Sequence, residues 1–129
     1  MPSDYWAKRA LRGLQRVARE SVILSERSDD DDDRFMALHF GLRRSREVVD
    51  RLGFRGETDG DGRVDSVVAA VRWWEATVPP DARGGGEESV RAANDVMKEA
   101  VGVVGLASSD DPSLWARARD WAAAHPVPG

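Results

Sequence analysis

Apolar residues return every three or four positions along most of this chain, and the returns fall into five groups. Leu11, Leu14, Ala18 and Val22 form the first, with Trp6 or Ala7 one turn earlier. That spacing places them on one face of a helix over about 4–25, with Ser3 as its cap. Phe35, Leu38, His39, Leu42, Val49 and Leu52 predict a second helix over 32–52, ended by Gly53. Val67, Val71 and Trp74 predict a third over 65–77, with Ser66 as a cap. Val90, Ala93, Met97, Val101 and Val104 predict a fourth over 87–106. Asp111 and Pro112 stand as cap and first residue of a fifth over 112–124, which buries Leu114, Ala118 and Trp121 or Trp115. The glycine-rich 53–64 and the "VPPDARGGG" within 78–86 are loops, since two prolines and three glycines do not continue a helix. No segment alternates with the period of a strand. The expected fold is all-α, one domain over 1–129, packed as a bundle of four to five helices.

Composition narrows the functions open to such a bundle. The chain has 129 residues, enough to bury a core, with 41% hydrophobic and 33% charged residues. It has no cysteine, which removes disulfides, thiolate metal sites and a cysteine nucleophile. The first residues, "MPSDYWAKRALRGL", carry no long apolar core, and no stretch approaches ~18 apolar residues. These features predict a cytoplasmic location and no membrane partner.

Charge is unevenly spread. Six basic and three acidic residues give +3 over 1–28, the aspartate run 29–33 gives −5, six basic against two acidic residues give +4 over 34–55, and thirteen acidic against seven basic give −6 over 56–129. The front half is basic apart from one acidic knot, and the back half is acidic. This fits two helical layers that attract each other, or a basic face for an anionic partner.

Two stretches and the tryptophans carry candidate chemistry. In "SDDDDDRFMALHF", five aspartates exceed what a helix start uses. Ser28 to Asp31 reads as a solvated loop, with Asp32 or Asp33 as the cap. Arg34 and His39 then stand five residues apart, Arg-x4-His, and this resembles the motif of the HEPN ribonucleases, small all-α proteins that cut RNA without metal. The resemblance implies His39 as proton shuttle and Arg34 as phosphate holder. It covers six residues, and Phe35 stands where that family carries a small polar residue. An ideal helix also puts Arg34 and His39 about 140° apart. The alternative is a histidine held in the core between Leu38 and Leu42.

In "ETDGDGRVDSVV", Glu57, Asp59, Asp61 and Asp65 occupy positions 1, 3, 5 and 9 of an EF-hand-type loop, with Gly62 at the turn; the stretch also resembles the calcium loops of dockerin modules. Position 12, where calcium takes a bidentate carboxylate, is Val68. The "VDS" of the same stretch resembles the serine site of acyl carrier proteins, with Arg63 where the glycine should stand.

Five tryptophans complete the set. Trp73 and Trp74 are adjacent and cannot face the same way on a helix, so Trp73, Trp6 and Trp115 are candidates for an interface. No cofactor motif is present. The expectation is a small helical module that binds another protein or a second copy of itself, without catalysis of its own. Nucleic acid is a less favoured partner. A ribonuclease using Arg34 and His39 is the first alternative, and a calcium-responsive module through 57–65 is the second.

Overall fold

The computed structural model describes residues 4–126, and within them every predicted helix is present. They are α1 (Tyr5–Arg27), α2 (Asp31–Phe54), α3 (Arg63–Thr77), α4 (Glu87–Ser108) and α5 (Pro112–Ala124). A short 3-10 turn, Ala82–Gly85, lies in the loop before α4. No strand occurs among the described residues. No helix among them is long and apolar enough to cross a membrane.

α4 is the central helix, packing against α1 and α2 on one side and α3 and α5 on the other. Its sequence explains the position. Val90, Ala93, Met97, Ala100, Val101, Val103, Val104 and Ala107 are all buried, so apolar residues fill an arc of roughly 160°, close to half its circumference. Many are small, which lets the neighbouring helices come close. Leu14, Leu38, Leu42, Val71 and Met97 are sealed in the core as their spacing predicts, whereas Trp121 is only partly buried. Ala7, rather than Trp6, continues the buried stripe of α1.

α1 and α2 are in tight contact where Gly41 faces Ser21. A Cβ at Gly41 would overlap the Ser21 side chain and reach Val17 Cγ1 at 4.0 Å. The glycine is therefore a packing residue at a helix crossing.

The helix ends differ from expectation, each for a local reason. The Ser3 cap falls outside the described residues, and Asp4 precedes α1 without a side-chain cap bond. α2 starts one residue early because Asp30, not Asp32 or Asp33, accepts the Asp33 N–H at 2.8 Å. It also continues through Gly53. The stop is Gly56, at φ +68°, where the Glu57 N–H reaches Leu52 O at 2.9 Å and the Gly56 N–H reaches Gly53 O at 3.1 Å. That double closure needs a left-handed residue after the cap, and Gly56 supplies it. α3 starts two residues early because Asp59 accepts the N–H groups of Arg63 and Val64 at 3.2 and 3.4 Å. Ser66 is then interior, its hydroxyl donating to Gly62 O at 3.0 Å. α5 starts as predicted, Asp111 accepting the Ser113 N–H at 2.9 Å.

One buried cation locks the α3–α5 side. Arg63 is buried; its Nε donates to Ala107 O at 2.8 Å and its Nη2 to Ser109 O at 3.0 Å. Its guanidinium lies 4.1 Å from the Trp115 ring centroid. It thus neutralises the open carbonyls at the end of α4 and joins α3, α4 and α5.

Candidate functional site

The exposed large apolar side chains define the site. They are Tyr5, Trp6, Ile23, Leu24, Met36, Phe40 and Phe54, and every one belongs to α1 or α2. Phe40 is 72% exposed and Phe54 94%. The α3–α5 side has no counterpart among the described residues, because its tryptophans are used inside the molecule.

A groove of roughly 610 Å³ runs between α1 and α2 on their outer side. Trp6, Ala10, Gly13, Leu14 and Val17 line it from α1, and Val48 and Leu52 from α2. Its rim is Arg9, Arg16, Arg44, Arg51 and Arg55, and no carboxylate lines it. The guanidinium groups of Arg9 and Arg55 lie 5.8 and 5.9 Å from the Trp6 ring centroid, within cation–π range. Arg44 pairs with Glu47 at 3.2 Å. Arg9, Arg16, Arg51 and Arg55 pair with no carboxylate among the described residues. The surface continues past the groove, because Leu24 lies two turns beyond Val17 and Phe40 one turn before Arg44. The Gly41–Ser21 crossing places those two turns side by side.

Along α2 the spacing offers Glu47 three arginines, Arg43, Arg44 and Arg51, and Asp50 one, Arg46. Arg46 meets Asp50 at 3.6 Å, but Glu47 turns to Arg44 and not to Arg43 or Arg51. Arg51 is thereby left to the groove. Charges at the start of α2 serve the fold. Asp31 accepts from Arg91 Nε at 3.0 Å and from Arg34 Nη1 at 2.9 Å, and its carbonyl accepts from Asn94 Nδ2 at 3.0 Å. The Arg91 bond, reinforced by Arg34, holds the Asp31 carboxyl below its ordinary pKa. The aspartate run is therefore not a solvated loop throughout: Asp30 caps α2 and Asp31 ties it to α4.

Arg34 and His39 are not brought together. Arg34 turns back to Asp31 and to Ser28 O, which its Nη2 reaches at 3.0 Å. His39 is partly buried, stacked on Phe35 at 5.6 Å between centroids and edge-on to Trp74 at 5.5 Å. Desolvation lowers its pKa, and Arg43 and Arg83 act in the same direction. It is neutral at neutral pH and packed among rings.

The carboxylates of 57–65 do not converge either. Asp59 spends both oxygens on backbone amides, Asp61 and Asp65 are exposed, and the Asp61 carbonyl accepts from Arg119 Nη1 at 3.0 Å. No group of three or more acidic or histidine side chains that could hold a metal occurs among the described residues. Asp59 is drawn inward because Gly62, at the start of α3, has no side chain to cap with.

Of the three tryptophans expected at an interface, only Trp6 is among the exposed large apolar residues, 39% exposed. Trp73 packs edge-on against Trp121 at 5.2 Å and His125 at 5.5 Å. Trp115 donates its Nε1–H to Ser109 O at 2.6 Å beneath Arg63. Trp121 and His125 thus cover the Trp73 ring, while Trp115, itself on α5, lies against Arg63. The residues that replace them at the surface, Leu24 and Phe40, had a legible signal: large apolar side chains off the buried stripes.

Comparison with known protein families, curated proteins and solved structures finds no match for this chain.

Proposed function

We propose that this chain is a binding module without catalysis of its own, and that the outer α1–α2 face receives a protein partner. The carrying observation is a coincidence. The helices that expose every large apolar side chain also line an apolar groove rimmed by four arginines with no ion-pair partner among the described residues. Apolar area that the fold leaves in water marks an interaction surface when it is contiguous. Arginine and aromatic residues are the side chains that contribute most at such surfaces. The residues that could support catalysis are engaged elsewhere, Arg34 with Asp31 and His39 with Phe35 and Trp74.

A photo-crosslinking residue tests this reading. Placed at Val48 in the groove, it should capture a discrete protein adduct in the native host. Placed at exposed Ala123 on α5, it should not. Equal labelling from both positions, or none from Val48, would remove the assignment of this face.

A further inference from the structure

We infer that the groove's occupant is an acidic amphipathic helix of a partner protein, lying along α1 and α2 for about five turns; this rests on the reading of that face as protein-binding. The length follows from the surface. Trp6 to Leu24 spans eighteen helical positions, roughly 27 Å at about 1.5 Å per residue. That is a ridge-and-groove contact of the kind amphipathic helices make, with anchors at every third or fourth residue.

The occupant's chemistry follows from the lining. The floor is mainly aliphatic, with Leu14, Val17, Val48 and Leu52, and matches leucine-like anchors. The rim asks for carboxylates, since Arg51 and Arg55 have their guanidinium groups unpaired among the described residues and arginine meets a carboxylate through two parallel hydrogen bonds. Glu20 and Glu47 mark the margins. Neither lines the groove: Glu47 is paired with Arg44, and Glu20 stands beyond Val17, one turn before Leu24, where the path asks for a neutral or basic residue of the occupant. A single-stranded nucleic acid fits the rim but not the floor. Stacking needs a row of aromatic faces, and Trp6 is the only aromatic residue lining the groove among the described residues. A lipid surface fits the charge and the exposed phenylalanines, but it is broad, whereas this lining is a trough between two helices.

The test uses a designed twenty-residue peptide with one leucine stripe at helical spacing and glutamates on its flanks, labelled for fluorescence anisotropy against the full chain. It is compared with a lysine-flanked peptide of the same stripe, a scrambled glutamate peptide, poly-uridine RNA, and vesicles of phosphatidylglycerol with phosphatidylcholine. The glutamate-flanked helix should bind at least tenfold tighter than the scrambled and lysine-flanked forms. Arg51→Glu with Arg55→Glu should weaken it about tenfold or more, and so should Val48→Glu. Raising salt from about 0.05 to 0.3 M should weaken it severalfold as the charges are screened. Circular dichroism confirms that each variant is folded.

Equal binding of scrambled and striped peptides, preference for the lysine peptide, or binding only to RNA or vesicles overturns the inference. So does a concentration-dependent dimer that Phe40→Ser dissolves and that excludes the peptide, since the occupant is then a second copy. If Val48 crosslinks a host protein but the acidic helix does not bind, the face is right and its occupant is wrong. If neither occurs, both fail.

Discussion

Arg63 and Arg51 are the same side chain in opposite surroundings. On the α3–α5 side, Arg63 lies over Trp115 with its guanidinium on the carbonyls of Ala107 and Ser109. On the α1–α2 side, Arg51 stands at the rim of an apolar groove and pairs with no carboxylate among the described residues. The aromatic residues divide in the same way. Trp73, Trp121 and His125 pack on one another across α3 and α5, while Phe40 and Phe54 face water from α2. One side has used its costly residues to close the fold, and the other has left them available. Polar and apolar groups that the fold does not need are the ones an interface can use.

The sharpest way to break this contrast compares two residues two positions apart. Leu42 is fully buried and Phe40 is not. Leu42→Ala should cost ~2–5 kcal/mol through the cavity it leaves. Phe40→Ser should change stability by less than ~0.5 kcal/mol. Urea titration of both variants decides, and a large loss from Phe40→Ser would place that ring in the fold's own core.

The arginines come next. Removing Arg63 strips two charge-assisted hydrogen bonds from buried carbonyls, each worth ~1.5–3 kcal/mol, so Arg63→Ala should cost about 3 kcal/mol. Arg63→Lys should recover little, since an ammonium does not span both carbonyls and stack on Trp115. Arg51→Ala should leave the urea midpoint within ~0.5 kcal/mol of the parent. Similar losses at Arg63 and Arg51 would erase the distinction.

Gly41 probes the seam where the two outer helices meet. Gly41→Ala should cost ~1–3 kcal/mol by overpacking against Ser21. Adding Ser21→Gly should return part of that loss, a coupling read from a double-mutant cycle. At the start of α2, Asp30→Ala should cost ~1 kcal/mol as a lost cap, and the exposed neighbour Asp29→Ala should cost almost nothing.

The smallest effect is a pH dependence. Burial holds the pKa of His39 below its ordinary 6.5. The unfolded chain therefore binds a proton that the folded chain resists, and this contribution is present above pH 6.5 and lost as the pH falls through the folded value. Melting temperature should decline from pH 7 toward pH 5, and His39→Leu should flatten that decline. Asp31, whose pKa is also lowered, acts in a separate and more acidic window: its contribution is present above its ordinary 3.8 and lost as pH falls further.

How much of this was legible can be judged element by element. The buried stripes of α2, α3 and α4 were readable because helical periodicity and burial are the same statement made twice. Helix ends were readable where the cap is adjacent, as at Asp111, and misread where it acts from several residues away, as Asp59 does for α3. The basic character of the front half was visible in the charge count. The groove was not, because a groove needs two helices at known rotation and distance. Trp6 was chosen for being a tryptophan. Leu24 and Phe40 stand off the buried stripes, which marks them as surface positions but does not bring them together.

Local sequence thus determined five helices, the faces that α1 to α4 bury, and a basic front half, since these depend on neighbours three and four residues apart. On α5 only Ala118 of the expected face is buried. Tertiary structure alone decided which arginine is buried and which is free. Arg63 and Arg51 have equal propensities. Only the packing of α4 and α5 around one, and the absence of any helix over the other, set their surroundings apart.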